Sequence, residues 1–162
     1  MRPFLVFKRE AKIVGVGHMK QKKDVVKTAK DYCAAENLRW TPPREMVLDI
    51  LAQTDKPMGA YDIIDAMAEH RDRPKPPTAY RAIDFWCEHG FLHKIDSLNA
   101  YILCHAEHRH HGSQFLICTS CGGVTEAHIC HLPKSMQEKA DNTGFKTENW
   151  TMEIRGLCEA CQ

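Results

Sequence analysis

The sequence predicts a mixed α/β (α+β) chain in two units, and three observations lead there. Apolar residues recur at helical spacing through four separate stretches of the first ninety residues or so, and two short strand-like runs follow the fourth. Beyond residue 112 the period changes to strands around a single helix. Two Cys-x-x-Cys pairs, Cys118/Cys121 and Cys158/Cys161, bracket that second half.

Taken in order, residues 22–37 read as a first helix, with Val25, Val26, Ala29, Tyr32 and Cys33 on one face. Thr41 is a good N-cap, and Pro42 and Pro43 suit a first turn, so a second helix starts there and buries Met46, Val47, Ile50 and Leu51. Residues 55–59 read as a loop and Ala60–Glu69 as a third helix with Ile63, Ile64 and Met67 inside. After the proline-rich connection 71–77, a fourth helix over 78–89 buries Ala79, Ile83 and Trp86, and Gly90 ends it. Strands over 91–95 and 100–103, with a turn at 96–99, complete a winged helix-turn-helix. The fourth helix turns Thr78, Tyr80, Arg81 and Asp84 outward. Such residues near a helix N-terminus suit contact with phosphates and base edges. In the second half, strands over 113–118 and 124–128, a helix over 132–142 ended by Gly144, and a strand over 145–154 make a small α/β unit. At that size the unit gains from a metal and from a second copy of itself. The expected division is an extension over 1–18, disordered or upstream of a start at Met19, then a winged-helix domain over 19–104. A hinge over 105–112 and a dimerisation and zinc-binding domain over 113–162 follow.

The composition is 43% hydrophobic with a formal net charge of +1, and no apolar run is long enough to span a bilayer. Charges interrupt the apolar start Phe4–Phe7, which makes it a poor secretion signal, and the chain reads as cytoplasmic. Residues 19–98 hold 13 Lys/Arg against 13 Asp/Glu, and residues 99–162 hold 5 against 7. Nucleic-acid binding must therefore rest on a few placed cations rather than on a bulk field.

Eight Cys and ten His, most of them after Tyr101, carry the chemical signal. In a cytoplasmic chain such clustering points to metal before disulfides. Cys118, Cys121, Cys158 and Cys161 supply four thiolates, which close a tetrahedral structural zinc site with no open position. A redox pair or two disulfides are the alternatives. A looser set comprises His93, Cys104, His105, His108, His110, His111, Glu126, His128, Cys130 and His131. Mixed nitrogen, sulfur and carboxylate donors suit zinc. Taken singly, His105, His108 and His110 read as solvent-exposed loop residues.

Several segments resemble the ferric uptake regulator family. They are Thr41-Pro42-Pro43-Arg44, Ala60-Tyr61-Asp62, the run Lys75 to Phe85, Gly90 to Ile95, and Phe115-Leu116-Ile117-Cys118. The resemblance runs from about residue 25 to the C-terminus. Cys104, in Tyr101-Ile102-Leu103-Cys104-His105, makes it most similar to the zinc-sensing (zinc uptake regulator) branch. It implies a regulatory zinc on His93, Cys104, His111 and Glu126, with His110 as the alternative to His111. It implies structural zinc on the four paired cysteines, hence two or more zinc ions per chain. It also implies DNA contacts from Tyr80, Arg81, Thr78, Arg44 and Tyr61. Some relatives hold a further metal in the linker, for which His105, His108, His110, His128 and His131 are candidates. Pro43 departs from the family's usual Gln, which leaves one contact near the phosphates without its residue.

The expected function is that of a homodimeric, zinc-responsive repressor of zinc uptake genes on a palindromic operator, with no catalysis, small-molecule substrate or membrane. An iron or peroxide sensor of the same family is the rival. A thiolate at Cys104 favours zinc over ferrous iron. A zinc deaminase is the enzymatic alternative, since His105-Ala106-Glu107 precedes Cys118-x-x-Cys121. Ile117 stands where that signature needs proline, and the second cysteine pair would have no task. A zinc buffer would not need Tyr80 and Arg81 on an exposed helix.

Overall fold

The structure is a computed structural model, and it describes residues 18–54, 56–69, 74–104, 112–127 and 131–162, with side chains from residue 25 onward. The expected extension lies outside these residues except for His18, which opens the first helix, and the hinge histidines lie outside them.

Four helices come first: α1 (His18–Ala35), α2 (Pro42–Ala52), α3 (Ala60–Ala68) and α4 (Pro76–Glu88). Helix α1 stops where Asn37 turns left-handed (φ 54°) and the Leu38 amide donates back to the Cys33 carbonyl. Extended Thr41 leads into α2, with Pro42 and Pro43 in its first turn. Pro76 and Pro77 do the same for α4, so that helix begins two residues before the expected Thr78. Gly90, at φ 73°, ends it, a conformation other residues adopt at a cost. The buried faces Val47, Leu48, Ile50 and Leu51 of α2, Ile63 and Met67 of α3, and Ala79, Ala82, Ile83, Phe85 and Trp86 of α4 form one core. Trp86 sits at its centre and donates its indole N–H to the Arg44 carbonyl at 2.8 Å, so the buried polar atom is satisfied.

A three-stranded antiparallel sheet follows, in the order β1 (Met58–Gly59), β3 (Ala100–Leu103), β2 (Leu92–Ile95). The two-residue β1 lies in what the sequence suggests is a plain loop. It forms because Met58 and Gly59 meet Tyr101 and Ala100 across the sheet, a non-local pairing with no local period. The β2–β3 hairpin, the wing, is buried on both faces, and its alternation assigns each residue a side. Leu92 and Leu103 face the helices and belong to the first core. His93, Ile95, Ala100 and Ile102 face the other way.

The second unit is the sheet β5 (Val124–Ala127), β4 (Gly112–Cys118), β6 (Trp150–Gly156), with α5 (Lys134–Asn142) in the crossover. Strands β4 and β5 are antiparallel and β4 and β6 parallel. The last strand starts at Trp150 rather than at the expected Phe145. Phe145 instead closes α5, its amide donating to the Ala140 carbonyl at 2.9 Å. Strand β4 begins at Gly112, inside the expected hinge. A second core, Ile95 and Ile102 of the wing with Phe115, Ile117 and Val124 of this sheet, joins the two units. The molecule is thus layered as helices, wing, sheet. Among the described residues no helix is long and apolar enough to cross a membrane.

Candidate metal centres and nucleic-acid interface

The first cluster is Cys118, Cys121, Cys158 and Cys161, whose sulfurs all lie within 4.8 Å of one another. The chain reaches this arrangement through two local devices. After β4 the chain turns tightly, with the Gly122 amide on the Cys118 carbonyl at 3.0 Å and Gly122 left-handed at φ 69°. Strand β6 delivers the second pair, its end tied to the first turn by the Thr119 amide on the Gly156 carbonyl at 2.8 Å. Cys121 Sγ and Cys158 Sγ are 3.8 Å apart. A tetrahedral ion with metal–sulfur bonds of about 2.3 Å separates its sulfurs by about 3.8 Å, so the donors fit. Backbone amides of Cys121, Cys158 and Ser120 point at Cys118 Sγ and lower its pKa to about 6. Cys158 is pushed up to about 12 by the neighbouring sulfurs of Cys161 and Cys118. One thiolate is therefore ready at neutral pH while a partner sulfur keeps its proton, a crowding that a cation relieves. The second pair thus converges with the first, and an ion held by all four sulfurs would have no coordination position open for a substrate.

The second cluster is His93, Cys104 and Glu126, again with donor atoms within 4.8 Å of one another. His93 comes from β2, Cys104 from the end of β3, and Glu126 from β5 across the contact between units. Strand parity explains the meeting: His93, Ile95 and Ile102 share the wing face that packs on the second sheet. His93 Nε2 is 3.3 Å from Glu126 Oε1, and Cys104 Sγ is 3.9 Å from it. His93 Nδ1 is 3.0 Å from Ser113 Oγ. With its proton on Nδ1 and donated to Ser113, the ring leaves Nε2 buried with no hydrogen-bond partner among the described residues. Protonated, Nε2 donates instead toward Cys104 and Glu126. Burial pulls the His93 pKa down, but those two neighbours outweigh it and raise it from 6.5 to about 9. An orphaned, buried imidazole nitrogen beside a thiol and a carboxylate fits a metal ion. Among the described residues these two groups are the ones with ligand geometry. His131 is exposed and joins neither. His105, His108, His110, His111 and His128 lie outside the described residues.

In the helical layer, α4 exposes Thr78 and Arg81, with Tyr80 half-buried between them. Tyr61, at the start of α3, is 76% exposed, a large aromatic presented to solvent at this surface. The Tyr80 phenol is raised from its ordinary value by desolvation first and by a hydrogen bond to Tyr61 second, which joins α3 and α4 at this surface. Arg44 is placed differently from Arg81. Its guanidinium lies 3.3 Å over the Phe85 ring and donates to the Arg39 carbonyl, so much of its capacity is used within the fold.

Sequence reasoning did not single out Ser113 or Glu153. Ser113 has no local signal, because its partner His93 is twenty residues away and on another sheet. Glu153 Oε1 accepts from the Asp96 amide at 2.8 Å, and Glu153 Oε2 accepts from the Ser97 amide at 3.2 Å.

Comparison with known proteins gives a consistent picture. Residues 35–155 match the pattern of the ferric uptake regulator family. The zinc uptake regulation protein of Escherichia coli (strain K12) is 39% identical over 139 residues, which are 85% of this chain and 81% of that protein. A solved zinc uptake regulator complexed with zinc and DNA superposes with a TM-score of 0.80 at 38% identity, covering 86% of this chain and 93% of that one. The protein XcZur is matched in two states. Its holo form gives a TM-score of 0.75 at 34% identity over 85% of this chain and 96% of that one. Its apo form gives 0.51 at 33% identity over 88% and 98%. Sequence pattern and layered architecture agree over most of the length: the chain belongs to the ferric uptake regulator family.

Proposed function

We propose that this protein is a zinc-responsive, sequence-specific DNA-binding repressor that acts as a homodimer in the cytoplasm. The observation that carries the reading is the second cluster. Its three donors come from both sides of the contact between wing and second sheet, so whatever they hold ties the reading head to the dimer unit. His93, Cys104 and Glu126 hold the regulatory ion, with His111 the expected fourth donor. Cys118, Cys121, Cys158 and Cys161 hold a structural one. Bound zinc supplies a tetrahedral, redox-inert tie that fixes the ligands' relative positions. Cys104 supports zinc against the iron- or peroxide-sensing alternative, because a thiolate selects the softer ion. The higher TM-score to the holo than to the apo form of XcZur supports reading the present arrangement as the ion-loaded one.

The exposed face of α4 enters the major groove, with Arg81 on a base edge, Tyr80 and Thr78 beside it and Tyr61 at the backbone. Arg44 serves mainly by holding α2 on α4. Two copies of α4 would have to stand roughly 34–36 Å apart to read a palindrome. The second copy is supplied through the sheet unit. Helix α5 buries none of its residues within the chain, and Met136, Phe145, Leu116 and Ile154 are exposed, apolar surface that pairing would cover. A coupling of about 1–3 kcal/mol between ion and DNA is enough for a switch, and DNA must then tighten the ion by the same factor.

The test is a titration of free zinc against a labelled palindromic operator, with the four-cysteine site kept loaded. Wild type should bind DNA only as zinc rises. Cys104→Ser should shift that response to higher zinc, and Arg81→Ala should cost about 1–3 kcal/mol of operator binding and relax base preference while keeping the zinc stoichiometry. DNA affinity in wild type that ignores zinc would sink the reading.

A further inference from the structure

One cross-strand row of the second sheet engages the wing along its length. Phe115 of β4 is paired in register with Glu126 of β5 on one side and with Glu153 of β6 on the other. Directly paired residues point to the same face of a sheet, so the row presents carboxylate, aromatic ring, carboxylate toward the wing. Glu126 meets the open end of the hairpin, where His93 and Cys104 stand. Phe115 meets its middle, with its ring centroid 5.6 Å from that of His93 and its side chain in the core shared with Ile95 and Ile102. Glu153 meets the tip. There the chain makes a 3-10 turn over Asp96–Leu98, and the capping position falls on Ile95, which has no side-chain acceptor for the turn's first amides. Glu153 supplies the missing acceptor from another unit, accepting from Asp96 N at 2.8 Å and from Ser97 N at 3.2 Å. The carboxylate of Asp96 itself is turned away, 3.2 Å from Lys94 Nζ.

We propose that Glu153 is a positioning residue: a metal-independent latch that caps the wing turn and holds the tip of the wing on the second sheet, so that the ion has only the open end left to fix. The inference rests on the repressor reading above. Two points define the angle of a rigid hairpin better than one. Glu126 acts through an ion, whereas Glu153 acts through amide protons that are present whether or not the ion is bound. The latch therefore raises the fraction of metal-free protein that already presents its three ligands together. Without it, part of the binding free energy of the ion goes into docking the wing, and apparent affinity falls by that fraction.

The experiment compares wild type, Glu153→Gln and Glu153→Ala as full-length proteins with the four-cysteine site loaded. Hydrogen exchange of the Asp96 and Ser97 amides is read in the protein lacking the regulatory ion. Zinc affinity of the second site is read by competition with a chelator, and the zinc midpoint of operator binding by anisotropy. The latch predicts protected amides in wild type, faster exchange in Glu153→Ala, and a zinc midpoint raised about fivefold. Glu153→Gln, which keeps an acceptor oxygen, should fall between the two. A thermal melt for each variant shows whether the fold is kept. Variants that fold yet keep the wild-type midpoint and wild-type exchange at both amides would overturn the latch. A wild-type protein whose DNA binding ignores zinc would overturn the repressor reading instead, and the exchange data would still judge the cap.

Discussion

His93 has two ring nitrogens in two different settings, and that division sets the behaviour of the second cluster. Nδ1 is anchored on Ser113 Oγ, and Nε2 faces Cys104 and Glu126. The raised pKa, about 9 against 6.5 unfolded, means the folded protein lacking the ion favours the imidazolium. The sign follows from linkage. The stabilisation by that proton is complete below pH 6.5 and disappears as pH rises through about 9. An ion must displace the same proton, so apparent zinc affinity of this site should climb with pH across that window and then level off. Calorimetric titrations at pH 7.5 in buffers of different ionisation enthalpy should report release of about one proton or more per zinc at this site. Release near zero would mean that His93 is neutral before binding and would contradict its assigned state. His93, Cys104 and Glu126 were named through the family resemblance, and their donor atoms converge. Ser113 was not, since a serine earns that position only by what the fold sets beside it.

At the scale of elements, alternation does the organising. The run Leu92-His93-Lys94-Ile95 places Leu92 toward the helices and His93 and Ile95 toward the second sheet, and Ala100 to Leu103 answers it. A slip of one residue would turn both His93 and the apolar pair to the wrong side. Strand β4 has a similar constraint at its start. A Cβ on Gly112 would lie 1.9 Å from Trp150 Cε2, so the indole occupies the space where any side chain would be. Gly112→Ala should cost about 1–3 kcal/mol, because the indole or the strand must shift. Chemical denaturation read alongside tryptophan emission checks this, and a variant with wild-type midpoint and emission would refute the close packing. The sequence showed the four helices, the hairpin and most of the strands, since each carries a local period. It did not show β1, whose two residues are a strand only because β3 lies beside them, or the late start of β6. It placed the α4 start at Thr78 because a proline pair can be read equally well as linker and as first turn.

For the whole molecule, the balance of forces differs between the layers. The helical layer closes on an apolar core that includes the fully buried Trp86. The contact between wing and sheet rests on Ile95, Ile102, Phe115, Ile117 and Val124. Burying one such side chain is worth about 1.5–3 kcal/mol, so apolar contact supplies much of the docking while the polar ties set its angle. The second unit has little apolar core of its own: α5 has no buried residue, and neither β5 nor β6 adds a fully buried apolar side chain. The four sulfurs must therefore carry a large part of its stability. Stripping the structural ion with a strong chelator, or Cys158→Ser, should lower the melting temperature of this unit by about 10 °C or more and weaken dimerisation. Scanning calorimetry with sedimentation velocity decides it, and an unchanged melt with an intact dimer would remove the structural role. At this scale the cysteine pairs were legible in full, because two residues of spacing dictate that both sulfurs can reach one ion.

By itself, the sequence determined what local chemistry can determine: helix phases, strand alternation, the two cysteine knuckles, and through its motifs the family. Only the tertiary structure decided which side chains meet across the contact between wing and second sheet. It paired Ser113 with His93, set Glu126 and Glu153 at opposite ends of one row, and engaged Arg44 with Phe85 rather than leaving it free. The physical reason is that these contacts join residues twenty to sixty positions apart, whose distance is set by how sheets and helices pack and leaves no period along the chain.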